Sequence, residues 1–306
     1  MTNNVTRVAV AAVAIPLALG IVWYGGFALA LLVMVAAVLG TRELFGLAER
    51  NGVRPLRGLG LTLAALAPFV TWLLASEPAT AFGTDSGSLS GTLALLGAIP
   101  AWLLAQWPLA AAITPILVMA GILAKRSPAD RPLSAVAVTL FAPIYCGALP
   151  SALLVIRYAA GPGHSWPATW LVFFPLAVTW ICDSFAMWGG KLIGGPKLAP
   201  TISPGKTRAG GIAGLLGGTL AAVLFVPLVL EPMGKGFPLA VAAAMGLILA
   251  ATAQVGDLAE SLLKREADVK DSSGLIPGHG GVLDRLDSLY FVLPVAALLF
   301  RAFGVL

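Results

Sequence analysis

Residues 212–230 read IAGLLGGTLAAVLFVPLVL, nineteen positions without one ionisable side chain. As a helix this stretch rises about 28 Å, which matches the ~30 Å hydrocarbon layer of a bilayer. Its apolar residues are continuous rather than alternating, and only helices or closed barrels satisfy their backbone in lipid. The reading is therefore a membrane helix. Runs of the same kind lie at about Val8–Tyr24, Phe27–Gly40, Leu59–Ala75, Pro108–Leu123, Leu133–Leu149, Trp170–Trp188, Leu239–Val255 and Leu289–Gly304. Gly25-Gly26 marks a tight turn between the first two.

The bulk numbers agree. The 306 residues are 58% hydrophobic and 11% charged, and the mean hydropathy is +0.93. The expected fold is an all-α, polytopic membrane helix bundle with about nine transmembrane helices. Thirty-five glycines and 22 prolines suit that class, because small residues let membrane helices approach and neighbours repair broken backbone bonds. We read two regions, 1–165 and a catalytic 166–306, of one integrated membrane domain. No internal repeat is evident. Thr92 to Leu123 is apolar for 32 residues, about 48 Å as one helix, and is interrupted by Pro100 and Pro108. A half-inserted or interfacial helix at about 92–106, followed by a true crossing, is expected. Arg7 precedes the first run and no clear cleavage site follows, so that run reads as a retained helix rather than a signal peptide.

With a cytoplasmic N-terminus, 16 of the 19 Lys and Arg residues fall inside, and only Arg157, Lys235 and Arg301 lie outside or near the outer face. The expected location is the cytoplasmic (inner) membrane, with the polar segments on its cytoplasmic face. The net charge of +5 then reflects positive-inside loops facing an anionic leaflet, not nucleic-acid binding. Cys146 and Cys182 sit in apolar context without a CxxC or a His cluster, and read as small core residues. Trp23, Trp166 and Trp170 read as interfacial anchors, and His164 as a loop residue.

Two polar segments break the pattern. In "QVGDLAESLLKREADVKDSSGLIPGHGGVLDRLDS", Gln254 to Ser288, Asp257 ends an apolar run and shares a helix face with Glu260, Ser261 and Lys264. Asp284 and Asp287 stand i, i+3 at the start of the last apolar helix. The helix dipole accounts for one acid near that start, but not for three carboxylates at two membrane boundaries interleaved with bases. From Asp257 to Asp287 there are seven acids and four bases, whereas the other cytoplasmic segments are net basic. Clustered acids among bases suggest hard oxygen ligands for Mg²⁺ with cations to hold phosphates, and "GHGG" offers backbone N–H groups to an anion. In the other segment, "CDSFAMWGGKLIGGPKLAPTISPGKTRAGG", Asp183 lies at or inside an apolar helix, where an ionisable side chain is costly and functional by default. Its "GKT" at Gly205–Thr207 is not a P-loop, because position 200 is Pro and no α/β domain surrounds it.

Ser261 to Asp287 resembles the signature of phosphatidate cytidylyltransferases, also called CDP-diacylglycerol synthases. The fixed positions are Ser261, Lys264, Arg265, Lys270, Asp271, His279, Gly280, Gly281, Asp284, Arg285 and Asp287. "QVGDLAES" and "DSFAMWGGKLIGGPKLAPTISPGKT" are similar to the family's other motifs. The chain departs at Gly205, Arg208 and Ala209, where the family usually has a Lys, a Trp and a Glu. The resemblance implies CTP plus phosphatidate giving CDP-diacylglycerol and pyrophosphate, in phospholipid biosynthesis. It implies metal binding at Asp257 and Asp284, with Asp287 close by, Mg²⁺ as the ion and room for a second. Lys264, Arg265, Lys270 and Arg285 become candidates for the CTP phosphates. Asp183, Lys191, Ser203, Lys206 and Thr207 become candidates for the wall that meets the phosphatidate head group. Asp271 and His279 are assigned to the substrate site by the signature. Homodimerisation is an expectation of the resemblance alone. Two competing classes are a secondary transporter, which wants ionisable residues near the midplane and inverted repeats, and a polyprenol-phosphate sugar transferase, which lacks this signature.

Overall fold

Glycines on the long apolar helices decide how closely those helices meet. The computed structural model describes residues 16–76, 106–159, 161, 163–276 and 280–306. Residues 16–24 are helical and turn at Gly25 and Gly26, both at positive φ (68° and 57°), as the Gly-Gly pair predicts. There follow α1 (Gly26–Arg50), α2 (Arg57–Ser76), α3 (Trp107–Lys125), α4 (Pro132–Pro143) and α5 (Ala152–Tyr158). After these come α6 (Trp166–Ile193), α7 (Arg208–Phe225), α8 (Leu239–Glu266) and α9 (Leu283–Ala302). A π-turn, Ile144–Ala148, follows α4 directly, so Pro132–Tyr158 acts as one span. A second, Val226–Leu230, contains Pro227 and extends α7 to Met233.

Six of these are long and apolar enough to cross a membrane: Gly26–Arg50, Arg57–Ser76, Pro132–Tyr158, Trp166–Ile193, Arg208–Met233 and Leu239–Glu266. α3 and α9 occupy the places of the crossings expected at 108–123 and 289–304. The start of the first expected crossing and the expected interfacial helix, residue 106 apart, lie outside the described residues. Several helices overrun their apolar stretches. α1 continues ten residues past Gly40, and α8 eleven past Val255, because the polar residues there are good helix formers. Those overruns carry Glu43 and Asp257.

α6 and α7 are neighbours. A Cβ at Gly210 would lie 2.6 Å from the Ala186 carbonyl oxygen, one at Gly214 3.0 Å from that of Cys182, and one at Gly218 2.7 Å from Ala250 Cβ. The four-residue spacing puts all three on one face, so backbones touch where side chains would hold them apart. The main core gathers Leu171, Phe174, Met245, Leu249 and Phe300, and a second cluster of Phe45, Tyr145, Cys146 and Tyr290 lies nearer the polar end. Outward faces are apolar too: Leu123 is 85% and Leu228 70% exposed, as lipid contact requires. Both cysteines are free and buried.

Arg157, counted above among the charges outside or near the outer face, is wholly buried. Its Nε donates to Val22 O at 2.7 Å, and its Nη2 to Trp23 O at 2.9 Å and Gly163 O at 2.7 Å. His164 lies in a loop, as expected, and its ring stacks on Trp23 with centroids 4.8 Å apart. The helical bundle also carries a small antiparallel hairpin, β1 (Lys197–Ala199) and β2 (Ser203–Thr207), with Lys197 opposite Thr207 and Ala199 opposite Ser203.

Candidate active site

Where α6, β2, α7, α8 and α9 meet, a cavity of about 650 Å³ opens. From α6 it is lined by Trp180, Asp183, Met187, Gly190 and Lys191, which the i, i+3, i+4 and i+7 spacing places on one face. β2 contributes Gly205, Lys206 and Thr207, and α8 contributes Gln254 and Asp257. Asp284, Arg285 and Asp287 come from the first turns of α9. The four aspartates expected from sequence thus share one wall-to-wall space, together with Lys191, Lys206 and Arg285.

Local chemistry explains the convergence. Thr207 Oγ1 caps α7 by accepting from Gly210 N at 3.1 Å, so the hairpin leads straight into the helix. Gln254 Nε2 donates to Gly211 O at 2.9 Å and ties α8 to the start of α7. Gly256 lets α8 lie against α9: a Cβ there would stand 2.9 Å from the Asp287 carbonyl oxygen and 3.1 Å from Ser288 Cα. Asp257 and Asp287 are brought to one cavity by that contact.

The charges are unevenly engaged. Lys206 Nζ pairs with Asp257 Oδ2, and Ser261 Oγ lies 3.4 Å from Asp257 Oδ1. Asp284 lines the cavity and has the most hydrogen-bond donors of its aspartates. Its Oδ1 accepts from Lys264 Nζ at 2.7 Å, and its Oδ2 accepts from Ser272 N, Ser272 Oγ and Gly281 N, each at 2.8 Å. Asp287 Oδ1 accepts from Ser288 N at 2.6 Å, and its Oδ2 has no hydrogen-bond donor among the described residues.

The remaining candidates stand elsewhere. Lys264 does not line the cavity; it is buried behind Asp284 and bridges that carboxylate to Glu260 at 2.5 Å. Its charge is matched by two buried acids rather than offered to a ligand. Arg265 donates to the carbonyls of Ile202 (3.2 Å) and Val269 (2.8 Å), which fastens the end of α8 to the hairpin turn. Ser203 begins β2, and Lys270 and Asp271 are exposed on the loop after α8; none of the three lines the cavity. His279 lies outside the described residues.

Sequence reasoning passed over Trp180, Gln254, Ser272 and Glu43. Glu43 is 8% exposed and accepts hydrogen bonds from Ser273 Oγ (2.7 Å), Leu283 N (2.8 Å) and Val282 N (3.1 Å), with Ser272 Oγ at 3.0 Å. A signal existed: Glu43 falls on the stripe that also holds Gly40, Leu44 and Leu47, all buried, where a carboxylate is out of place.

Among the described residues, no three His, Cys, Asp or Glu side chains form a ready-made metal cage. Mg²⁺ does not require one, since it keeps several waters and binds through one or two carboxylates plus substrate phosphates. Asp257, Asp284 and Asp287, with Asp183 on the facing helix, supply hard oxygens of that kind; three of the four donors to Asp284 crowd Oδ2, and its Oδ1 accepts from Lys264 alone.

The family model described as the cytidylyltransferase family matches residues 5–303. The chain belongs to the cytidylyltransferase family. A phosphatidate cytidylyltransferase from Brucella abortus is 38% identical over 177 residues, covering 50% of this chain and 62% of the relative. Phosphatidate cytidylyltransferase 5, chloroplastic, from Arabidopsis thaliana is 32% identical over 312 residues, covering 94% and 69%. The Haemophilus influenzae phosphatidate cytidylyltransferase is 40% identical over 143 residues, covering 45% and 47%. The chain thus spans 62% of the length of the Brucella relative it matches. The acid-rich cavity lies among helices whose outer faces are apolar.

Proposed function

We propose that this protein transfers the cytidylyl group of CTP to phosphatidate, giving CDP-diacylglycerol and pyrophosphate. The observation that carries the reading is the single cavity in which Asp183, Asp257, Asp284 and Asp287 face Lys191, Lys206 and Arg285, in a chain of the cytidylyltransferase family. A phosphatidate oxygen attacks the α-phosphorus of CTP, the bond from that phosphorus to the bridging oxygen breaks, and pyrophosphate departs. The nucleophile is already anionic near neutral pH, so the task is aligning and neutralising two polyanions.

Lys206, Lys191 and Arg285 would hold phosphate oxygens, and Asp257, Asp284 and Asp287, with Asp183, would hold Mg²⁺, with room for a second ion. Bound Mg²⁺ supplies charge neutralisation to the triphosphate and to the leaving pyrophosphate. Asp284 also holds Lys264, Ser272 and Gly281 beside them. Acyl chains stay in lipid between helices. The bias of 16 of 19 basic residues to one side supports a cytoplasmic face for the cavity and a cytoplasmic N-terminus, in the inner membrane. A homodimer remains part of the reading by family likeness only. The test is purified protein in nanodiscs with radiolabelled CTP and phosphatidate, with and without Mg²⁺. Mg²⁺-dependent lipid-linked CMP is expected; folded protein that makes none overturns the proposal.

A further inference from the structure

The helix that brings Asp284 and Asp287 to the cavity has no cap of its own. The first N–H groups of any helix lack intrahelical partners, and at α9 no local side chain supplies one. The partner comes from 240 residues earlier in the chain: Glu43 Oε2 accepts from Leu283 N at 2.8 Å and Oε1 from Val282 N at 3.1 Å. A carboxylate at a helix N-terminus is further favoured by the helix dipole. The same two oxygens receive the near end of the α8–α9 loop, through Ser273 Oγ at 2.7 Å and Ser272 Oγ at 3.0 Å. Ser272 Oγ is at once 2.8 Å from Asp284 Oδ2, so its one proton is shared between the two carboxylates. A Cβ at Gly281 would collide with Ser272 Oγ and with the Glu43 carboxylate, so the loop is seated on that carboxylate without slack.

No cation pairs with Glu43 among the described residues. A buried, unpaired carboxylate on a membrane helix is costly, and its four donors all belong to one loop and one helix start. We propose that Glu43 is a positioning residue: from α1 it caps α9 in trans, gathers both ends of the α8–α9 loop, and thereby sets where Asp284 and Asp287 stand relative to Asp257. The N-terminal helices are then part of the site's framework and not only its anchor in lipid. The inference rests on the proposed cytidylyl transfer for its kinetic readout, and on capping geometry alone for its second readout.

The experiment compares full-length wild type with Glu43→Ala and with the near-isosteric Glu43→Gln in nanodiscs, the latter serving where truncation unfolds the chain. Glutamine keeps one accepting oxygen but turns an NH₂ toward the other donors, so it can reproduce only half of the cap. The expected result is a fall in kcat of about 100-fold for Glu43→Ala, as for a misplaced catalytic framework, and a smaller fall for Glu43→Gln. The Mg²⁺ concentration for half-maximal rate should rise and the KM for CTP should hold. Amide hydrogen exchange at Val282 and Leu283 should be slow in wild type, fast at both in Glu43→Ala, and fast at one of the two in Glu43→Gln. Wild-type kcat and Mg²⁺ dependence in a folded variant would overturn the positioning role, and rapid exchange of these two amides in wild type would overturn the cap. If wild type itself makes no lipid-linked CMP, the transfer reading fails while the exchange data still decide the cap.

Discussion

Lys206 and Asp257, 51 residues apart, form an ion pair across the mouth of the cavity, one from the hairpin and one from α8. The two side chains are each 28% exposed, so the pair is within reach of water and of ligands. It holds together the two groups that the proposed reaction uses separately, the base on a phosphate and the acid on a cation. Polyphosphate binding would draw Lys206 off Asp257 as the cation arrives.

Lys206→Met is therefore expected to lower kcat/KM by about 100-fold, the scale of losing one pre-placed charge partner in a site. The Mg²⁺ requirement should not increase, because Asp257 is freed of its competitor. Initial rates over a Mg²⁺ series measure both. Unchanged kcat/KM would reduce the pair to a surface contact.

Asp257→Asn and Asp287→Asn should each cut activity by at least about 100-fold at ordinary Mg²⁺ and shift half-saturation upward, since each removes a hard anionic ligand. Chelation of wild type should abolish turnover, and added Mg²⁺ restore it. Asp257→Asn with full activity at low Mg²⁺ would remove that residue from the ion site.

Gly256→Ala should cost about 1–3 kcal/mol in stability and most of the activity, because the added methyl would meet the Asp287 carbonyl oxygen at 2.9 Å. Gly46→Ala, within α1 and with nothing within 4 Å of the added atom, should instead be neutral or stabilising by up to about 1 kcal/mol. Thermal unfolding in detergent, with parallel rate measurements, distinguishes the two glycines. Equal melting temperatures would mean that α8 and α9 have room to separate.

Lys264→Met should destabilise the protein by about 3–5 kcal/mol, since it strands Glu260 and Asp284 as buried acids without a cation. Adding Glu260→Gln should recover part of the loss, and a double-mutant cycle on melting temperature gives the coupling. Strict additivity would contradict the bridge.

Much of this site can be read from spacing. Asp183, Asp257, Asp284 and Asp287 stand out as carboxylates at apolar boundaries, and helix periodicity places Asp284 and Asp287 on one face. What spacing does not carry is the partner across space. Lys264 has the look of a phosphate ligand in its signature, yet Glu260 one turn before it and Asp284 twenty residues on occupy its charge. Glu43 sits between Arg42 and the bases that follow, and reads as part of a positive boundary until its four donors are seen. The hairpin at 197–207 is short and rich in Gly and Pro, and its strands hold only each other in register, so no alternation announces it. Spacing is equally silent on how differently the three expected metal aspartates are engaged: Asp284 has four donors, three of them on Oδ2, Asp257 pairs with Lys206, and Asp287 accepts from Ser288 N.

Arg157 carries a consequence for how the chain can be handled. Two of its three carbonyl partners, Val22 and Trp23, belong to the helical residues that precede α1. A version truncated to start at Gly26 would retain the guanidinium and discard most of what solvates it, at a penalty of several kcal/mol for a buried ion. Val22 and Trp23 are thus expected to be needed for α5 to fold around Arg157, and fusion tags belong ahead of them rather than in their place.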